Sequence, residues 1–167
     1  MIEAPEARIL CRQLNETVRG KKITDVYTQF SPHKFAWFTG SSEVYAEQLS
    51  GKTIDHAQSQ GGMVEITIGD KVLILTDGVN LRYLAPGSKL PAKHQLLIAF
   101  EDESCLVAPV RMYGGLMCYD KDAADGVLSN YYLTARSKPQ VMSDGFSPEY
   151  FLGPVSYTHL RAHETLS

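Results

Sequence analysis

The segment from Met63 to Leu75 limits the fold more than any other part of the chain. Met63-Val64-Glu65-Ile66-Thr67-Ile68 alternates with period two, and Val72-Leu73-Ile74-Leu75 returns after Gly69-Asp70. Two apolar runs around a two-residue turn signal predict a β-hairpin. A lone hairpin is marginal in water, so further strands must complete it. The chain offers them at short spacing. Lys22 to Phe30 reads as a strand, with Ile23, Val26 and Tyr27 as inward candidates. Asn80 to Leu84 is another, and Leu96 to Phe100 pairs with Ser104 to Ala108 through Glu101-Asp102-Glu103. Gly114 to Tyr119 is one more, and strand-like runs follow Gly51-Lys52-Thr53-Ile54.

Ahead of the strands, Glu3 to Val18 reads as an amphipathic helix. Ala7, Leu10, Leu14 and Val18 recur at spacings of three and four, and Gly20 stops the pattern. Ser42 is placed to cap a short helix through Gln48. The expected class is α+β, mainly β, and the strand pattern alone leaves sandwich and barrel open.

The chain has 167 residues, 44% of them hydrophobic and 21% charged, which suits one globular domain. Its formal net charge of −3 gives no global signature of nucleic-acid binding. The three cysteines, Cys11, Cys105 and Cys118, form no Cys-x-x-Cys pair. Zinc spacing is therefore absent, and reduced cytoplasm fits best. Neither an apolar run of membrane-spanning length nor a signal peptide is visible.

Chemistry concentrates in the first turn, Met1-Ile2-Glu3-Ala4-Pro5-Glu6-Ala7. An α-amino group titrates near ~7.7–8.0, so it is partly neutral and nucleophilic at physiological pH. A carboxylate such as Glu3 beside it can relay protons. The same residues also suit a plain helix start, with Glu3 and Glu6 at the positive end of the dipole and Pro5 in the first turn. The stretch from Ser31 to Gly40 mixes His33, Lys34, Phe35, Trp37 and Phe38. Either it stacks bases and holds phosphates, or Phe35 and Trp37 fold it over the core.

The opening resembles the Pro-Glu-Leu-Pro-Glu start of the formamidopyrimidine-DNA glycosylase / endonuclease VIII family. Glu3, Pro5 and Glu6 fall on the family's first Glu, second Pro and second Glu. Ile2 stands where the family has its nucleophilic Pro. Lys93-His94 is similar to the start of a Lys-His-x-His strand, with Leu96 in place of the second His. Pro109-Val110-Arg111-Met112-Tyr113-Gly114 resembles a loosened Asp-Pro-Arg-Arg-Phe-Gly loop. Ser143-Asp144-Gly145-Phe146 with Tyr150-Phe151 resembles the segment leading into the family's second domain. The resemblance covers nearly all of residues 1–153 and implies a β-sandwich flanked by helices.

The resemblance also implies a function: base excision on double-stranded damaged DNA, with glycosylase and abasic-site lyase activity toward oxidised bases or abasic sites. An N-terminal amine attacks C1′ of a flipped-out nucleotide and forms a Schiff base. Glu3 takes the proton-relay role and the Met1 amine replaces the missing Pro amine. Arg111 is either the contact to a phosphate or orphan base, or a surface arginine. Lys93 and His94 are either phosphate contacts or a solvated strand start. Lys34 and Asn80 are further DNA-binding candidates. The family's turn Lys falls on Gly62, and its gap-filling Met on Asp77. Methionine is trimmed only before small residues, so Met1 is expected to stay, one residue further from Glu3 than the family's amine. A non-catalytic relative that binds damaged DNA or a nucleotide is the alternative, and a β-sandwich with an unrelated ligand is a third. A monomer without membrane association, in bacterial cytoplasm or nucleoid, is expected. No cofactor is expected in this fragment, since the family's zinc belongs to a second part that is missing here.

The tail from Pro154 to Thr165 is similar to the one-frame translation of a sequencing-library adapter. Residues 154–167 are therefore set outside fold reasoning, and the native chain is expected to continue into another domain. His159 and His163 are not offered as metal ligands.

Overall fold

A computed structural model describes residues 1–123, 128, 130–141 and 143–158. Helix α1 spans Ala4–Thr17, with Glu3 as its N-cap residue and Val18 as its C-cap residue. Ala7, Cys11, Leu14 and Val18 form its buried stripe. Strand β1 spans Ile23–Thr28, and β2 is a three-residue strand, Ala36–Phe38. A 3₁₀ turn, Ser42–Val44, leads into the short helix α2, Tyr45–Leu49. Strands β3 (Ile54–Gln60), β4 (Met63–Ile68), β5 (Lys71–Leu75) and β6 (Arg82–Leu84) follow. Strands β7 (Leu96–Phe100), β8 (Cys105–Ala108) and β9 (Gly114–Asp120) complete the sheets. Helix α3 spans Asn130–Arg136. Helix α4, Pro148–Thr158, crosses the expected junction at Gly153. The remainder of the expected tail, with His159 and His163, lies outside the described residues.

The strands form two sheets, one ordered β1-β7-β8-β6 and the other β2-β9-β5-β4-β3. The hairpin read from sequence is present, with Ile68 opposite Lys71 and Val64 opposite Leu75. Alternation sorts the side chains of each strand between two faces. Leu96, Ile98 and Phe100 of β7 meet Ile66, Ile68, Leu73 and Leu75 of the other sheet in one core. The intervening residues do not face water. Leu97 packs outward with Cys105 and Val107. Val72 and Ile74 pack outward with Leu128 and with Tyr132 of α3. Coverage on both faces explains why β4 and β8 are buried throughout.

Three expectations are corrected. Tyr27 is 54% exposed, whereas Ile23 and Val26 are buried. A register irregularity between Ile23 and Asp25 puts Ile23 and Val26 on one face and turns Tyr27 to the other. Ser42 does not cap a helix; Ser41 is the N-cap residue of the 3₁₀ turn and makes no side-chain cap bond. The Ser42 hydroxyl is buried and accepts a hydrogen bond from Gln29 Nε2 at 2.7 Å. In the aromatic loop, the partly buried Ala36 and Phe38 pack on the core, while Phe35 and Trp37 are 47% and 49% exposed.

Two polar contacts hold the layers together. Asn15 of α1 pairs twice with the edge strand β3: its Nδ2 donates to Ala57 O at 2.8 Å, and Ala57 N donates to its Oδ1 at 2.7 Å. The open β3 edge is thereby satisfied by a side-chain amide. The Tyr45 hydroxyl is wholly buried and donates to Leu116 O at 2.8 Å. It accepts from Thr39 N and Cys118 N, each at 3.0 Å. Burial pushes its phenol up to about 12, so it remains the donor at neutral pH. Tyr45→Phe leaves these three backbone groups short of a partner. The expected loss is about 1–3 kcal/mol by urea denaturation; an unchanged midpoint would refute this account of Tyr45.

Candidate nucleic-acid interface at the chain start

The site is a backbone junction between three distant segments: the first residues, the turn after β5, and the loop before β9. Ile2 N donates to Asp77 O at 2.5 Å. Its side chain is 6% exposed and belongs to the main core. Arg111 N donates to Gly78 O, and Gly78 N donates to Tyr113 O, both at 2.8 Å. Val79 and Val110 form a further isolated antiparallel bridge. Gly78 is needed because two backbones approach too closely for a side chain. A Cβ there would lie 1.9 Å from Arg111 O and 2.5 Å from Tyr113 O.

The loop itself is tight. Tyr113 N donates to Arg111 O at 2.8 Å, and Met112 between them has φ of 64°. A hydrogen bond across one residue with positive φ is the strained form of γ-turn. Strain of this kind persists only where the surroundings enforce it; here the Gly78 contacts do so. The turn leaves Met112 78% exposed at its tip.

These segments enclose a cleft of about 250 Å³ lined by Met1, Glu6, Asp77, Asn80 and Arg111, with Ile2 and Leu10 among its apolar walls. The sequence candidates Met1, Asn80 and Arg111 therefore converge. Arg111 is exposed, and its guanidinium has no ion-pair or hydrogen-bond partner among the described residues. Asn80 N donates to Pro109 O at 2.8 Å, which fixes its backbone beside the loop.

Other candidates lie elsewhere. Glu3 is exposed and makes no side-chain cap bond; Glu6, one turn along α1, faces the cleft instead. Its spacing of four from Leu10 was the available signal. Lys34 is exposed, with its Nζ 5.4 Å from the centre of the Phe35 ring. His94 is not a solvated strand start: it is 3% exposed and stacks on Phe30 at 4.6 Å and 3°. Its Nδ1 lies 3.1 Å from Pro91 O, so the ring is engaged away from the cleft. Lys93 beside it is exposed.

The cleft sets the Arg111 guanidinium and the Met1 amine against two carboxylates, Glu6 and Asp77, so its own walls are not a basic groove. Cysteine offers no alternative nucleophile nearby. Burial pushes the Cys11 thiol up to about 12 and the Cys118 thiol up to about 11, leaving both protonated near neutral pH. Among the described residues no group of three His, Cys, Asp or Glu side chains is placed to hold a metal ion. Nor is any described helix long and apolar enough to cross a membrane.

Comparison with known proteins fits this arrangement. Residues 1–107 match the model of the formamidopyrimidine-DNA glycosylase N-terminal domain. The chain belongs to that family. A Lactococcus lactis Fpg, solved as a complex with abasic-site-containing DNA, is 26% identical with a TM-score of 0.61. That match covers 72% of this chain and 44% of the other. A MutM in complex with carbocyclic 8-oxo-G containing DNA is 25% identical, with a TM-score of 0.61, covering 72% of this chain and 45% of that one. A Lactococcus lactis Fpg (MutM) complex with FAPY-dG containing DNA matches in fold at 24% identity and a TM-score of 0.62, again over 72% and 45% of the two chains. The chain thus spans just under half the length of these solved structures. No curated protein sequence matches it.

Three contacts meet at residue 2. The Ile2 side chain is buried in the core, Asp77 O accepts its N–H, and a Cβ on Gly62 would lie 2.9 Å from Ile2 O. A lysine at 62 does not fit while residue 2 occupies this place. The Gly78 contact gives a direct check. Gly78→Ala forces the Arg111 loop away and is expected to cost about 1–3 kcal/mol, the usual range for overpacking. A denaturant midpoint equal to that of the unaltered chain would show that the loop is not locked in this way.

Proposed function

We propose that this chain is a damaged-DNA-recognition domain of base-excision repair. On this reading Arg111 holds a phosphate or the orphan base, and the family's amine chemistry at residue 2 is suppressed. The observation that carries the reading is the Ile2 anchor beside an Arg111 guanidinium that has no partner among the described residues. The nitrogen of residue 2 is the peptide amide to Met1 and so no free amine; its N–H is committed to Asp77 O and its side chain to the core. Arg111, by contrast, is free to grip an anion or a base edge bidentately. The partner is double-stranded DNA carrying an abasic site or oxidised base, bound by a monomer in a reducing, cytoplasmic setting. The relatives solved with abasic-site and 8-oxo-G DNA support that substrate class.

The remaining amine near the cleft is that of Met1. It is one residue removed from the family position, and Glu3 does not line the cleft beside it. Catalysis by positioning falls by about 100-fold for an ångström of misplacement. Lyase activity is therefore weak or absent, and binding is the retained function.

Borohydride trapping on an abasic duplex tests this. The unaltered chain is expected to bind the duplex and give little covalent adduct. Ile2→Pro, which lets the initiator Met be removed and frees a terminal secondary amine, is expected to raise trapping by about 100-fold. Efficient trapping at Met1 of the unaltered chain would contradict suppression. Failure to bind abasic DNA would contradict the recognition role.

A further inference from the structure

Beside the cleft runs an exposed apolar strip that the proposed Arg111 contact does not use. Trp37 lies on β2, the edge strand of the five-stranded sheet, and is 49% exposed. Its ring centre is 5.9 Å from that of Tyr113 with a 42° tilt. Tyr113 is 39% exposed, and its hydroxyl is 3.7 Å from Met1 Sδ. Met1 and Met112 extend the strip at 76% and 78% exposed. A single exposed apolar side chain is ordinary, but a contiguous run next to a cleft marks a contact surface.

The flanking charges and the register select the occupant. Lys34, three residues before Trp37, has its Nζ 5.4 Å from the centre of the Phe35 ring, and Arg111, whose guanidinium has no partner among the described residues, is two residues from Tyr113 in the same turn. Aromatic faces between cations suit a base with its phosphates, because every base has a face that stacks and each phosphate seeks a cation. The β2–β9 register fixes the pair, since Trp37 lies opposite Gly115 while Ala36 lies opposite Gly114.

Asp77, which aligns with the family's gap-filling Met, does not fill a gap here. Its Oδ2 accepts a hydrogen bond from Thr76 Oγ1 at 2.8 Å, and its backbone holds Ile2. We propose that Trp37, backed by Tyr113, is a stacking platform for an unpaired base of the bound DNA, displaced from position 77 to the β2 edge. This deepens the DNA-recognition reading and rests on it.

Trp37 is the sole tryptophan of the chain, so its intrinsic emission reports the platform alone. The probes are an unlabelled duplex with one abasic site, which leaves the opposite base unpaired, and the same duplex intact. Binding is followed separately by electrophoretic mobility. The abasic duplex is expected to quench emission strongly at saturation, and the intact duplex much less. Trp37→Ala is expected to weaken abasic-duplex binding about 5- to 100-fold, the range for one base on one aromatic ring, and Trp37→Phe to restore most of it. Because the side chain is half exposed, far-UV circular dichroism is expected to be unchanged in both variants.

Binding without quenching, or equal quenching by both duplexes, overturns the platform and leaves DNA recognition standing. Failure of the unaltered chain to bind either duplex overturns the recognition reading and the platform with it. Self-association of the unaltered chain that Trp37→Ala abolishes assigns the strip to a second copy of the chain and overturns the proposal.

Discussion

The site depends on one hydrogen bond, from Ile2 N–H to the carbonyl of Asp77. The first residues of a chain are ordinarily loose unless something ties them down. Here the tie has two parts: the donor finds a carbonyl in the turn after β5, and the Ile2 side chain is buried in the sandwich core. That turn is fixed in its own right, because Gly78 is pressed against the Arg111–Tyr113 loop with no room for a Cβ. The start of α1, the turn and the loop therefore take one relative position, and Arg111, Met112 and Tyr113 are presented together. The position and solvent exposure of the proposed contacts follow from backbone geometry rather than from side-chain pairing.

By the resemblance, Ile2, Gly62 and Asp77 stand where the family has a nucleophile, a cation and a gap-filling side chain. In the structure they meet. The carbonyl of residue 2 occupies the space that a side chain at 62 needs, and its N–H occupies the carbonyl of 77. While residue 2 is anchored there, a side chain at 62 has no place. In the cleft, Glu6 and Asp77 stand against the Arg111 guanidinium and the Met1 amine. Any phosphate grip must then draw on Arg111 and on cations outside the cleft.

Much of the fold was legible because its signals were local. The β4–β5 hairpin follows from Gly69-Asp70 and appears where expected; of the expected α1 stripe Ala7, Leu14 and Val18 are buried, while Leu10 is only partly so and Cys11 is buried in its place. Strand β3 was hard to place because Asp55, Gln58 and Ser59 carry no apolar period; its edge is satisfied by Asn15, a long-range contact no local window contains. Strand β2 is three residues paired in parallel with β9, too short to carry a period. Tyr27 was misplaced by an irregularity that reverses alternation. At the site, motif order marked Arg111 and the terminal amine marked Met1, but neither the place of Glu6 in the cleft nor the burial of His94 was legible, because packing direction decides both. The aromatic loop divides likewise: Ala36 and Phe38 turn inward while Trp37 turns outward, as alternation on an edge strand requires.

Amide hydrogen exchange at residue 2 is the most direct measurement of the central claim. A backbone amide next to a chain terminus normally exchanges at the rate of an unstructured peptide, whereas one held in a buried hydrogen bond exchanges only when the structure opens. Resolved by NMR on the folded chain, the Ile2 amide is expected to be protected to nearly the same degree as the Arg111 amide, because one junction holds both. Exchange of Ile2 at the free-peptide rate, with Arg111 still protected, would contradict the anchor.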